Sequence, residues 1–231
     1  MRRKPVGSAR SRMVRDPIKT AEVLTRLFGD DLHAMRVLSL ANGTIGVLHA
    51  ATLAVSAIGK AYARAIGGDP KHGVKQVDRL LSNDGIRLSE LFPAWVQFVV
   101  GVRKEIVVAM DWTDFEPDDH ATLAIYLVTT HGRATPLIWK TVTKSELQGK
   151  QTDHEYALVE ALHAALPPNV GITILADRGF GNQKLYRLLE TLGWDYVIRF
   201  RGAISVENGK GETRKAKDWL PPTVQCSPSR G

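Results

Sequence analysis

Hydrophobic and polar positions along this chain follow one period up to about residue 102 and another after it. In the first part, apolar residues recur at helical spacing. Ile18, Val23, Leu24, Leu27 and Phe28 predict a first helix, and Leu32 to Leu40 a second after the break at Gly29-Asp30-Asp31. Leu48 to Tyr62 predicts the longest, with Leu48, Val55, Ile58 and Tyr62 on one side. Gly67-Gly68-Asp69-Pro70 is a stop signal. In the helix predicted next, Val74, Val77 and Leu81 form an apolar edge, while Lys71, Lys75 and Arg79 recur at every fourth position. Leu88 to Val102 predicts a last helix, broken near its start by Pro93 and ended by Gly101. Residues 17–102 therefore read as an all-helical region.

From residue 103 the pattern turns to short apolar runs. Ile106 to Phe115, I-V-V-A-M-D-W-T-D-F, reads as a fully buried strand that ends on Asp111 and brings its carboxylate to a sheet edge. Thr122 to Thr130 and Ala134 to Val142, separated by the hairpin signal His131-Gly132, complete an antiparallel meander. Thr152 with Glu155 three positions on predicts a capping box, opening a helix buried through Leu158, Val159, Leu162 and Leu166 and stopped by Pro167-Pro168. Gly171 to Asp177 is a second apolar run ending on an aspartate. Asn182 caps a helix with Leu185, Leu188, Leu189 and Leu192 on one face and Gly193 at its end, and Trp194 to Phe200 is a fifth strand. Three strands, helix, strand, helix, strand predicts an α/β fold, an RNase H-like mixed sheet with flanking helices. Its crossovers make the later strands parallel to the first, so Asp111 and Asp177 emerge side by side. Beyond Arg201 a hairpin is expected around Asn208-Gly209, then Lys- and Pro-rich sequence.

Composition narrows the chemistry. The formal charge of +7 favours a polyanionic partner. Arg2, Arg3, Lys4, Arg10, Arg12, Arg15 and Lys19 concentrate this charge at the N-terminus, either as a solvated tail or as an arm that touches phosphates, and the Lys71, Lys75, Arg79 face carries the same two readings. The single cysteine, Cys226, excludes an internal disulfide and any multi-cysteine zinc site, which fits a reducing compartment. No secretion signal is visible, and the apolar stretch Ile45 to Ile58 is too short to span a bilayer, so it is expected to be a buried helix. Carboxylates converging from separate strands suit hard divalent cations, which take oxygen ligands. A histidine-based hydrolase is the rival, but His120, His131, His154 and His163 fall on expected turns or helix surfaces with no nucleophile near them in the pattern.

The blocks A-M-D-W-T-D-F, H-G-R-A-T-P-L, L-A-D-R-G-F-G and Y-V-I-R-F-R-G, in that order, resemble a bacterial DDE transposase of the insertion-sequence-4 family, and K-H-G-V-K-Q-V-D-R-L-L-S-N resembles its N-terminal region. Charge marks a basic arm over 1–16, and the resemblance implies a helical DNA-binding region over 17–102, an RNase H-like catalytic core over 103–203, and the start of a β insertion over 204–231. It implies double-stranded DNA as partner, as transposon ends and target, with a homo-oligomer on DNA, and a cytoplasmic, nucleoid-associated location without a membrane. Asp111 and Asp177 match the first and second catalytic acids, which in that family hold two magnesium or manganese ions together with a glutamate of a Tyr-Arg-Glu-Lys signature. No such signature occurs here, so the resemblance implies a truncated or frameshifted copy without its third acid. Such a chain is expected to be inactive alone, to act with a partner chain or frameshift product that supplies the glutamate, to remain a non-catalytic DNA-binding fragment that interferes with the full-length enzyme, or to be an unfolded pseudogene product without activity. Glu212 follows Asp177 at a spacing that resembles other triads, but E-N-G-K-G-E-T-R-K reads as an exposed hairpin, and Glu190 lies on the helix directly after Asp177.

Overall fold

The computed structural model describes residues 17–130, 133–199 and 204–219; the N-terminal arm, His131-Gly132, residues 200–203 and the last twelve residues lie outside these ranges. The chain divides into two compact units between Phe98 and Val99.

The first unit is helical: α1 Pro17–Phe28, α2 Ala34–Ala50, α3 Val55–Ile66, α4 Pro70–Leu81 and α5 Leu88–Val100. Phe28, Leu32, Val37 and Leu91 are buried together, with Leu24, Leu40 and Trp95 packed around them. Three expectations are corrected. The apolar stretch from Ile45 to Tyr62 is not one helix, because Ala51 adopts a left-handed conformation (φ 51°) and donates to Val47 O, closing α2. The chain then turns back, with α2 and α3 bent by 98° and Leu53 at the corner 82 % exposed. Folding back seats Ile58 on Gly46, where a Cβ would lie 2.6 Å from the Ile58 side chain. The buried face of α4 is Gly73 and Val77, whereas Leu81 is exposed. Helix α5 runs through Pro93, whose missing N–H orphans the Ser89 carbonyl, and both residues are exposed, so water can take that N–H group's place. Gly101 (φ 60°) follows the helix as expected. Among the described residues no single helix is long and apolar enough to cross a membrane.

The second unit is built on a five-stranded sheet, β1 Glu105–Phe115, β2 His120–Leu127, β3 Thr135–Thr143, β4 Gly171–Ala176 and β5 Asp195–Ile198, in the order β3-β2-β1-β4-β5. Strands β1 to β3 form the antiparallel meander, and β4 and β5 join parallel to β1. Helices α6 Lys144–Leu147, α7 Gln151–Ala165 and α8 Gln183–Thr191 fill the connections, and β6 Ser205–Glu207 pairs with β7 Thr213–Lys215 in a separate hairpin. This is an RNase H-like mixed sheet with flanking helices.

Handedness decides which side those helices cover. The crossovers β3-α7-β4 and β4-α8-β5 both advance in the same direction across the sheet, and right-handed connections then put both helices on one face. Trp112, whose indole meets Glu155 of α7, and Tyr196, whose ring stacks on Tyr186 of α8 at 5.2 Å, mark that covered face. Alternation puts Ile106, Val108 and Met110 there, all buried, and Val107, Ala109 and Asp111 on the other. On this second face Val107 is 38 % exposed and Val197 62 %, against 0 % for Val108. Strand β1 is thus buried on one side only, not on both as its apolar run suggested. It also continues past Asp111 to Phe115, because β2 keeps pairing with it that far.

The capping box expected at Thr152 and Glu155 is absent. Helix α7 begins at Gln151 after Lys150, which makes no side-chain cap, and Glu155 turns inward. The box forms one helix earlier, where Thr143 and Glu146 satisfy each other's backbone N–H groups at the start of α6. Helix α8 forms as its leucines predict. Asn182 Oδ1 accepts from Leu185 N at 2.8 Å, and Leu185 and Leu189 are fully buried, each contributing about 1.5–3 kcal/mol by leaving water. Gly193 (φ 68°) follows its end.

Candidate functional site

The pairing of β1 with β4 ends at Met110 and Ala176. The next residue on each strand is an aspartate, Asp111 on β1 and Asp177 directly after β4, so the two follow the last paired residues of neighbouring parallel strands. Both are exposed. Met110 faces the helices, so Asp111 faces away from them, and Asp177, extended at φ −81°, ψ −179°, continues the same alternation from Ala176. The pair therefore lies on the face that α7 and α8 leave bare. Asp111 is not at a strand end: it pairs with Ala124 of β2 on one side and has lost its β4 neighbour on the other.

Asp177 also performs the ordinary task of a post-strand aspartate. Its Oδ1 accepts from Gly179 N at 2.7 Å and caps the single turn Arg178–Phe180, which buried Phe180 anchors. This holds the carboxylate in one orientation and leaves Oδ2 for another partner. Tyr156 of α7 donates to Asn182 Oδ1 at 2.7 Å, tying the start of α8 to α7 just beyond the turn.

Two adjacent exposed carboxylates, one of them oriented by a backbone N–H, fit the oxygen donors that a hard divalent cation takes, with water completing its shell. They do not by themselves make a set for two ions, and no group of three or more His, Cys, Asp or Glu suited to a metal occurs among the described residues. Glu212 sits at the β6-β7 hairpin, outside the five-stranded sheet, with its carboxylate bound to Asn208 Nδ2 at 3.0 Å and 3.6 Å from Arg214. Glu190 accepts from the Tyr196 hydroxyl on the covered face.

Lys71, Lys75 and Arg79 stand on α4 away from its buried Gly73 and Val77, and all three are exposed. Lys75 and Arg79, with His72 and Gln76, line a surface depression of about 430 Å³. Asp69 caps this helix, accepting from Lys71 N and His72 N. Of the histidines, His120 binds the Asp118 carbonyl at a turn, His163 lies against Trp194, and His154 is half-buried with Nε2 unpartnered. His131 is outside the described residues.

Two charged residues acquire importance only from the structure. Glu155 is a 2 % exposed carboxyl group that takes the Trp112 indole N–H at 3.0 Å and the Gln151 amide at 3.2 Å, and burial raises its pKa. Arg199 extends the aspartate row by one strand: the β4-β5 pairing ends at Ala176 and Ile198, and Arg199 N then donates to Ala176 O at 3.1 Å. Its signal was present in V-I-R, a charge placed directly after a short apolar strand just as in L-A-D.

The transposase DDE domain family matches residues 102–223, which take in every strand of both sheets and more than half of the chain. No curated protein matches the chain. On that match this chain belongs to the transposase DDE domain family.

Proposed function

We propose that the chain is an insertion-sequence transposase of the insertion-sequence-4 group, which binds transposon ends and carries the first two acids of a metal-dependent strand-cleavage and transfer site. The observation that carries this reading is the register Met110 with Ala176, since it makes Asp111 and Asp177 neighbours on an accessible face. A bound magnesium or manganese ion supplies Lewis-acid stabilisation of charge at a phosphodiester. Asp111, flanked by β2 on one side only, and Asp177, through the oxygen that Gly179 leaves free, would hold the ion. The Lys71, Lys75, Arg79 face of α4 supports binding to duplex phosphates, and assembly on DNA as a homo-oligomer follows the family pattern.

A non-catalytic DNA-binding role is the second reading, favoured by the absence of a third acid beside the pair among the described residues. Calorimetric titration with manganese chloride tests the first. Wild type should bind, and Asp111→Asn and Asp177→Asn should each bind more weakly. Equal affinity in wild type and Asp111→Asn removes Asp111 from the site and leaves the second reading.

A further inference from the structure

We propose that Arg199 is the phosphate-holding residue of this site, gripping a non-bridging oxygen of the phosphodiester whose other oxygen meets the cation held by Asp111 and Asp177. The inference rests on the metal reading above and adds to it the group that receives the substrate.

Three parallel strands end their mutual pairing at the same level, Met110 on β1, Ala176 on β4 and Ile198 on β5. All three residues face the helices, so the residues that come next, Asp111, Asp177 and Arg199, face the opposite way. Asp111, Asp177 and Arg199 thus follow one another in a transverse row across three neighbouring strands. The bond from Arg199 N to Ala176 O holds the arginine backbone in the ladder, so its starting point is fixed relative to Asp177.

A structural role would be neutralisation of Asp177. Among the described residues, however, the ion pairs are Arg87 with Glu90, Lys144 with Glu116 and Arg214 with Glu212, and Arg199 is in none of them. Asp177 instead uses Gly179 N–H for its Oδ1. Arg178, the nearer cation in sequence, belongs to the turn after Asp177 and so leaves the row. An exposed guanidinium one strand from Asp177 and two from Asp111 would have a positive neighbour when an ion is bound there. A phosphate between them resolves this, because its two non-bridging oxygens can meet one positive group each. Arginine suits the task, since its guanidinium is always charged and presents its N–H donors in a fixed planar geometry, where a lysine ammonium is a point charge.

The test uses the full chain, a short random-sequence duplex and manganese chloride. Duplex affinity is measured in manganese and in EDTA for wild type, Arg199→Ala and Arg199→Lys, with manganese affinity measured alone by calorimetry. The proposal expects manganese to tighten duplex binding by wild type. It expects Arg199→Ala to lose about tenfold of the affinity measured in manganese and little of that in EDTA, with Arg199→Lys recovering part. Manganese affinity should stay equal or rise in Arg199→Ala. Equal losses in manganese and EDTA would make Arg199 a general electrostatic contact and overturn the proposal, as would a manganese-dependent gain that survives in Arg199→Ala or is missing from wild type. If wild type binds no manganese, or Asp111→Asn binds it equally, the metal reading itself fails and this inference falls with it.

Discussion

Trp112 and Glu155 join the central strand to the helix covering it: the indole N–H donates to Glu155 Oε1 at 3.0 Å, one residue from Asp111 and on the opposite face of the sheet. Burial raises the Glu155 pKa above 4.5, and the hydrogen bonds from Trp112 and Gln151, which favour the anion, offset this only in part. The native state therefore binds the proton more tightly than the unfolded chain. Its contribution to stability is full below the unfolded pKa and is lost as pH rises through the higher folded value. Urea midpoints of wild type should fall between about pH 5 and about pH 8 more than those of Glu155→Gln, which still accepts from Trp112 but cannot ionise. Parallel curves would show that Glu155 does not titrate in this window. Glu155→Leu should cost about 1–3 kcal/mol at low pH, because Trp112 and Gln151 lose their acceptor.

In the first unit, Gly59 of α3 and Gly73 of α4 meet backbone to backbone. A Cβ on Gly73 would stand 2.2 Å from Gly59 O, and one on Gly59 would stand 2.3 Å from Val74 Cα. Neither obstacle is a flexible side chain, so the helices must separate. Gly73→Ala should destabilise this unit by about 1–3 kcal/mol or more despite alanine's better helix propensity. A urea midpoint equal to wild type would mean that the crossing is looser than these distances.

Gly59 and Gly73 also show which parts of the fold sequence could reveal. Helix α8 was legible because four leucines and Asn182 each answer to one local rule. The five strands were legible because apolar runs and turns alternate. Contacts between elements were not. Leu48 to Tyr62 keeps a helical period through Ala51, yet the backbone turns left-handed there and the chain folds back so that Ile58 packs on Gly46. Glu155 matches a capping box by spacing, yet the helix starts at Gln151 and turns this carboxyl group toward Trp112. At the candidate site, the order of strands and crossovers already sets Asp111 and Asp177 side by side, whereas the face they share and the neighbouring Arg199 depend on strand register.

For α4, the basic face of Lys71, Lys75 and Arg79 predicts a salt effect. If these side chains neutralise duplex phosphates, replacing all three with glutamine should reduce the slope of log affinity against log salt by about 0.9 for each phosphate no longer neutralised. The substitutions lie away from Gly73 and Val77, so the helix should still pack and its circular dichroism should not change. An unchanged slope would make this a solvated face.

The 231-residue chain, alone, should not cut DNA, and the case turns on Glu212. By spacing after Asp177 it completes a triad, but a third acid must lie on an element packed against the same sheet, with its rotamer held by neighbours. Glu212 instead belongs to the hairpin of β6 and β7, where its N–H donates to Asn208 Oδ1 at 3.0 Å and its carboxylate binds Asn208 Nδ2 and Arg214. Recruiting it would break these bonds and move a hairpin that does not pair with the five-stranded sheet. Asp111 and Asp177 can still hold one ion, but without a ligand for the second ion the transition state loses several kcal/mol, which is orders of magnitude in rate. The measurement is nicking of supercoiled plasmid and of the element's own ends in manganese, with Asp111→Asn as the control for contaminating nuclease. Wild type and Asp111→Asn should give the same background. Nicking by wild type that both Asp111→Asn and Glu212→Gln abolish would make Glu212 the third acid and this chain a complete enzyme.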